Sequence, residues 1–180
     1  MRQFLLMAVA ALVIACAVGA FVQGRPPVKE GIHIDAVFSP GGGCEDRIVK
    51  EIESATQRVC VQVYIFTSKP ICDSLVQAKK RGVDVKVILD KSQEKAAFGR
   101  WPVMQKSGVK VLFDRDHEVA NSKIILIDDR TIITGSYNFT KAAEEKNAEN
   151  IVIIENDGDS FTKFKENFDK HLAHSHSGKT

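Results

Sequence analysis

The sequence predicts an α/β fold, a mixed central β-sheet flanked by helices in a single domain. Three observations predict it. Strand-like and helix-like patterns alternate from about residue 32 to residue 172. The apolar spacing switches between continuous β-branched runs and a helical i, i+3, i+4 period. At 180 residues, with 44% hydrophobic and 27% charged residues, the chain suits one domain of ordinary size.

Ile32–Phe38 reads as a strand, broken by Ser39-Pro40-Gly41-Gly42-Gly43. Ile48, Ile52 and Ala55 fall on one helical face. Val59–Phe66 is a β-branched apolar run and reads as a buried strand. Ser68 caps the next helix, Pro70 sits in its first turn, Ile71, Leu75 and Ala78 form its apolar stripe, and Arg81-Gly82 ends it. Val83–Leu89 is a third strand. A less regular helix covers roughly Gln93–Lys106 and stops at Gly108, and Val109–Phe113 is a short strand.

Ile124–Ile127 is a fully apolar strand. Asp128-Asp129-Arg130 turns tightly into Thr131–Thr134. A helix starts after Asn138, and Asn150–Ile154 is the last strand. Phe161, Phe164, Phe168 and Leu172 form a helical stripe expected in the core. The order is β-α-β-α-β-α-β-β-β-α-β-α. The tail histidines, His171, His174 and His176, are expected on a frayed polar terminus rather than at a metal site.

Residues 1–24 are expected to lie outside this fold. Arg2 precedes 19 uncharged residues, Phe4–Val22, and Val18-Gly19-Ala20 offers small residues for cleavage. That is the pattern of an export signal. The run is also just long enough for a membrane anchor, and Val13-Ile14-Ala15-Cys16 resembles a lipoprotein box lipidated at Cys16. Each reading puts residues 25–180 outside the cytoplasm, periplasmic or secreted.

The whole chain carries 25 Lys+Arg and 23 Asp+Glu. Without residues 1–24 it loses only Arg2, leaving 24 against 23. A near-neutral protein does not coat a polyanion through a basic surface, so a polyanion must be held in a local cleft. Cys44, Cys60 and Cys72 match no metal-ligand spacing and are expected as buried or free thiols, a single disulfide being the alternative.

The informative stretch is Asn121-Ser122-Lys123-Ile124-Ile125-Leu126-Ile127-Asp128, followed by Gly135-Ser136-Tyr137-Asn138. Residues 121 and 123 share parity on a strand. The chain then turns back and delivers Ser136 and Asn138 to a helix start. An ammonium, a hydroxyl and a carboxamide suit the oxygens of a phosphate, and the free N–H groups of a helix start would add to that grip.

This stretch resembles the phospholipase D superfamily pattern, His-x-Lys-x4-Asp-x6-Gly-Ser-x-Asn. Lys123, Asp128, Gly135, Ser136 and Asn138 match in register. Lys146-Asn147-Ala148-Glu149-Asn150 resembles the family's second element, with Glu149 as acidic partner of the His. The likeness is to the short, exported bacterial nuclease branch with one motif per chain. It implies a phospholipase D-like sheet, a homodimer sharing one active site, and cleavage of nucleic acid (single- or double-stranded DNA, or RNA) through a phosphohistidine. It implies no metal or other cofactor. Asn121, Lys123, Asp128, Ser136, Asn138 and Glu149 are the implied catalytic residues, with Lys123, Ser136 and Asn138 on the phosphate.

One position departs from the pattern. Asn121 stands where the family has its His. A neutral imidazole nitrogen is basic near pH 7 and attacks phosphorus; a carboxamide has no comparable lone pair and does not titrate. His117 lies four residues upstream, roughly 13 Å along a strand, too far to replace it. The position reads either as a substitution that traps a complex or as a natural non-cleaving member. Hydrolysis of a phospholipid such as cardiolipin and non-catalytic phosphate binding are the alternative functions.

Overall fold

The computed structural model describes residues 31–178. The expected signal segment and Cys16 lie outside the described residues. The strands are β1 His33–Ser39, β2 Arg58–Val63, β3 Asp84–Asp90, β4 Lys110–Asp114, β5 Lys123–Ile127, β6 Thr131–Gly135, β7 Glu149–Glu155 and β8 His176–Ser177. The helices are α1 Cys44–Ser54, α2 Lys69–Lys80, α3 Trp101–Lys106, α4 Lys141–Glu145 and α5 Gly158–His174.

All eight strands form one sheet in the order β1-β7-β6-β5-β2-β3-β4-β8. β2, β3 and β4 run parallel, while β5, β6, β7 and β1 continue the sheet antiparallel. The sheet is mixed, as the sequence predicts, and the seam between its two halves is the β2–β5 pair. Period-2 alternation in β2 builds two cores. Val59, Val61 and Val63 face the larger one with Ile48, Ile52, Ile71 and Leu75 of α1 and α2. Cys60 faces the smaller one, where Phe161 and Phe168 of α5 are buried and Phe164 and Leu172 pack alongside. The sheet is thus layered between helices on both faces.

Local chemistry sets the element ends. Ser68 Oγ accepts the Ile71 N–H at 3.1 Å, and Pro70 occupies the first turn of α2. The stretch expected as one irregular helix is a 3₁₀ turn, Lys91–Lys95, followed after a break by α3. Asp90 caps the first piece through Ser92 N–H at 2.8 Å, and Ala96 turns extended behind it. β2 ends at Val63, not Phe66. Beyond it the backbone pairs with residues 138–140: Phe139 N–H donates to Ile65 O at 3.1 Å, and Phe66 bridges Phe139.

The tail corrects the sequence expectation. Residues 158–174 are helical to the last of them, and His176 pairs with Phe113 across β8–β4. Asp157 caps α5 through Ser160 N–H at 3.1 Å, and the Phe stripe carries the helix onto the sheet. Cys44, Cys60 and Cys72 are buried free thiols. Burial pushes the Cys60 thiol up to about 11. Gln62, on the Cys60 side of β2, is buried at 1% exposure, and its carboxamide has no hydrogen-bond partner among the described residues.

Candidate active site

Sheet register gathers most of the motif at one end of the strands. Lys123 opens β5 opposite Val63, the last residue of β2. Its neighbour Ile124 pairs with Thr134, which brings Gly135 at the end of β6 beside it. Gly135 in turn pairs with Ile151 of β7, next to Asn150 and Glu149. A Cβ at residue 135 would fall on the Asn150 carbonyl, so this approach needs glycine.

The approach lets Ser136 and Asn150 lock together. Ser136 N–H donates to Asn150 O at 3.1 Å. Ser136 Oγ accepts the Asn150 N–H at 3.1 Å and donates to Asn150 Oδ1 at 3.3 Å. Asn138 is fixed from the other side, its Oδ1 accepting Ile65 N–H at 3.3 Å. Between them Tyr137 is fully buried and donates its hydroxyl to Glu144 Oε2 at 2.9 Å. Burial, then this carboxylate, push the phenol well above its usual range.

The helix expected after Asn138 is α4, which begins three residues on at Lys141 rather than at Asn138 itself. Residues 136–140 are non-helical, with bends at Ser136 and Thr140, and α4 begins at Lys141 with Thr140 Oγ1 accepting Ala143 N–H at 3.1 Å. The pairing of Phe139 with Ile65 and Phe66 fixes the middle of this stretch. Ser136 and Asn138 therefore precede α4 and do not form its N-terminus.

Lys123 sits 5.6 Å above the centre of the Tyr64 ring. Burial lowers its ammonium's pKa, and the charge of Glu149 works against that shift. It donates to the Asn121 backbone carbonyl at 2.7 Å and to Asn121 Oδ1. Glu149 accepts from Asn147 Nδ2 at 3.1 Å, whereas Asn121's carbonyl oxygen is taken by Lys123. Asn121 is not on a strand: it lies in the crossover 115–122, which passes from β4 to β5.

Asp128 stands apart from the other expected residues. It stands at the opposite end of β5 from Lys123, about 17 Å away along a five-residue strand. Its carboxylate accepts Thr56 N–H at 2.7 Å, Thr56 Oγ1–H at 2.8 Å, and the N–H groups of Gln57 and Arg58 at 2.8 Å each. It organises the loop that enters β2 and does not touch the Lys123 end.

A family model described as "Cardiolipin synthase, PLD-like domain" matches residues 48–172. The chain belongs to the phospholipase D superfamily. NUC from Salmonella typhimurium, a phospholipase D family member of known crystal structure, superposes with a TM-score of 0.78 at 32% identity, over 83% of this chain and 100% of that one. NucT from Helicobacter pylori shares the fold, with a TM-score of 0.74 at 22% identity over 82% and 99% of the two chains. A phospholipase D of Rickettsia typhi is 37% identical over 123 residues, 68% of this chain and 60% of that protein. The chain therefore spans about three fifths of the length of that curated relative. The human mitochondrial cardiolipin hydrolase is 27% identical over 117 residues, 65% of this chain and 46% of its own length.

Against the superfamily pattern, the residue two before Lys123 is the one that fails, and no other imidazole takes its place. His117 Nδ1 lies 3.0 Å from both carboxylate oxygens of Asp114. That carboxylate is fully buried at the end of β4, and His171 Nδ1 and His174 Nε2 meet its Oδ2 at 2.7 and 3.3 Å. Burial alone would raise the Asp114 pKa, but the hydrogen bonds of the three histidines hold it below the ordinary carboxylate range. Sequence reasoning missed this cluster. The available signals were two i, i+3 pairs, Asp114/His117 and His171/His174, each placing its members on one side of a turn.

Proposed function

We propose that the chain supplies one half of the phosphate site of a homodimeric, metal-independent phosphodiesterase acting on nucleic acid outside the cytoplasm. Asn121 leaves it binding phosphodiesters while hydrolysing them extremely slowly. The observation that carries this reading is the gathering of Lys123, Ser136, Asn138 and Glu149 at one sheet end, with Asn121 held against Lys123.

In this reading the Lys123 ammonium balances phosphate charge, and the Ser136 and Asn138 side chains orient its oxygens. Each chain offers one such set, so a second copy completes the pair. An exposed apolar stripe on the edge strand β1 supports that assembly. Ile34 and Phe38 are 64% and 63% exposed, and Phe38 pairs in register with Asn150, next to Ser136. Near-neutral net charge fits a substrate gripped in a cleft rather than along a basic face. The uncharged run Phe4–Val22 supports work outside the cytoplasm.

A phospholipid substrate is the second reading. Phe98 and Val119, 81% and 51% exposed, belong to loops at the same sheet end, where they suit acyl chains. The test is cleavage of single-stranded DNA, double-stranded DNA and cardiolipin vesicles by the chain and by Asn121→His, with and without EDTA. Cleavage of DNA by Asn121→His alone, unaffected by EDTA, supports the first reading. Cleavage confined to vesicles supports the second. Equal turnover by both chains removes residue 121 from the nucleophile position.

A further inference from the structure

We propose that Asp114, His117, His171 and His174 bind a divalent transition-metal ion of the zinc type, and that this ion fastens α5 to the end of β4 and to the crossover that carries Asn121. Their candidate ligand atoms all lie within 4.8 Å of one another. A tetrahedral zinc with bonds of about 2.0–2.1 Å sets its ligand atoms about 3.3 Å apart. The 2.7, 3.0 and 3.3 Å separations already present around Asp114 are close to that spacing. Three imidazoles and one carboxylate are a nitrogen- and oxygen-rich set that suits zinc better than calcium or magnesium.

The carboxylate is oriented for the task. Asp114 Oδ1 accepts the N–H groups of Asp116 at 3.1 Å and His117 at 3.3 Å. Oδ2 is turned to the helix, towards His171 and His174. Such outer hydrogen bonds fix a ligand's direction before the ion arrives. The rings crowd as ligands do, their centres 4.8, 5.2 and 5.3 Å apart. Asp114 is fully buried, while the His117 side chain is 48% exposed and leaves a path for entry.

The placement gives the ion a purpose. Its two ligand pairs are separated by more than fifty residues, so one ion ties the last helix to the sheet. His117 lies four residues before Asn121. The crossover between them has two further tethers, Lys91 Nζ on His117 O at 2.7 Å and Ala120 N–H on Asp90 Oδ2 at 2.8 Å. A bound ion would add the strongest of the three, at the point where the crossover leaves β4.

The experiment uses the full chain without a polyhistidine tag, stripped with EDTA and dialysed. Zinc is titrated by calorimetry, and cobalt by its visible absorption. The expected result is one ion per chain, tetrahedral cobalt bands, and a melting temperature that rises with free zinc. His117→Ala and His174→Ala, checked for native circular dichroism, should each weaken zinc at least about 100-fold, while His33→Ala and His176→Ala should not. Zinc should also slow hydrogen exchange across residues 115–122. No uptake by the folded chain, or uptake indifferent to His117→Ala and His174→Ala, overturns the site. Uptake that leaves exchange at 115–122 unchanged overturns the fastening. None of these readouts is cleavage, so the outcome is independent of the proposed phosphodiesterase.

Discussion

Lys123 closes on Asn121 twice, donating to its backbone carbonyl at 2.7 Å and to its side-chain oxygen. The ammonium is thus held beside the residue that departs from the superfamily pattern. An imidazole at 121 offers no such carbonyl, so Asn121→His releases one of the two bonds and supplies a basic nitrogen. The variant should cleave a phosphodiester with a pH profile set by imidazoles near neutrality. General acid–base catalysis alone is worth about 10²–10⁴ in rate, and the gain should exceed it because the nucleophile returns as well. A fluorescent oligonucleotide assay from pH 5 to 9 measures it.

Binding should depend on Lys123 with or without cleavage. A charge-assisted hydrogen bond contributes about 1.5–3 kcal/mol, so Lys123→Ala should weaken a short oligonucleotide about 10- to 100-fold. Burial lowers the lysine's pKa and Glu149 opposes that. Protonated Lys123, and the binding it supports, is lost as pH rises through a pKa below the ordinary 10.5. Glu149→Gln removes the opposing charge, so affinity should fall at a lower pH than in the parent chain. Fluorescence anisotropy between pH 7 and 11 reads both effects.

Asp128 should behave as a stability residue. Burial raises its pKa, but the Arg58, Thr56 and Gln57 N–H groups and the Thr56 hydroxyl hold it below the usual 3.8. A depressed carboxylate stabilises the fold above its unfolded pKa, about 3.9, and that stability is lost as pH falls through the folded value. Asp128→Ala should cost about 2 kcal/mol at pH 7 and flatten the urea midpoint between pH 2 and 4. Oligonucleotide affinity of the folded variant should stay unchanged.

Gln62 offers the opposite sign. Its buried carboxamide has no partner among the described residues, and such a group costs about 1–3 kcal/mol. Gln62→Met keeps the volume and removes the polar atoms. The melting temperature should rise by about 2–4 °C for each kcal/mol recovered. Calorimetric melting of the two chains checks it.

Assembly should run through β1. Ile34 and Phe38 are exposed on the β1 edge, and Phe38 pairs with Asn150. Phe38→Asp should convert a two-fold dimer to monomer in sedimentation velocity while leaving circular dichroism intact. A parent chain that sediments as a monomer contradicts the shared site.

The legible parts of this molecule were those governed by neighbours in sequence. Ser68 and Pro70 announced α2, and the phenylalanine spacing announced α5. Partners far along the chain set the rest. Phe66 reads as strand by propensity, yet Phe139 draws it out of the sheet. The tail histidines read as a polar end because their carboxylate, Asp114, lies 57 and 60 residues away. Asp128 matched a motif in register, but one five-residue strand is long enough to carry it to the wrong end of the sheet.

The two margins of the sheet are closed from opposite directions. β1, early in the sequence, lies on β7, and β8, near the end, lies on β4. On the ribosome, β1 has no strand to pair with until residue 155 has emerged, and β4 keeps a bare edge until residue 177 has. Neither half of the fold can be finished before β7 and β8 are made. A nascent chain stalled at residue 140 would expose the apolar β1 edge and an unpaired β4 together, two surfaces suited to pairing with another chain.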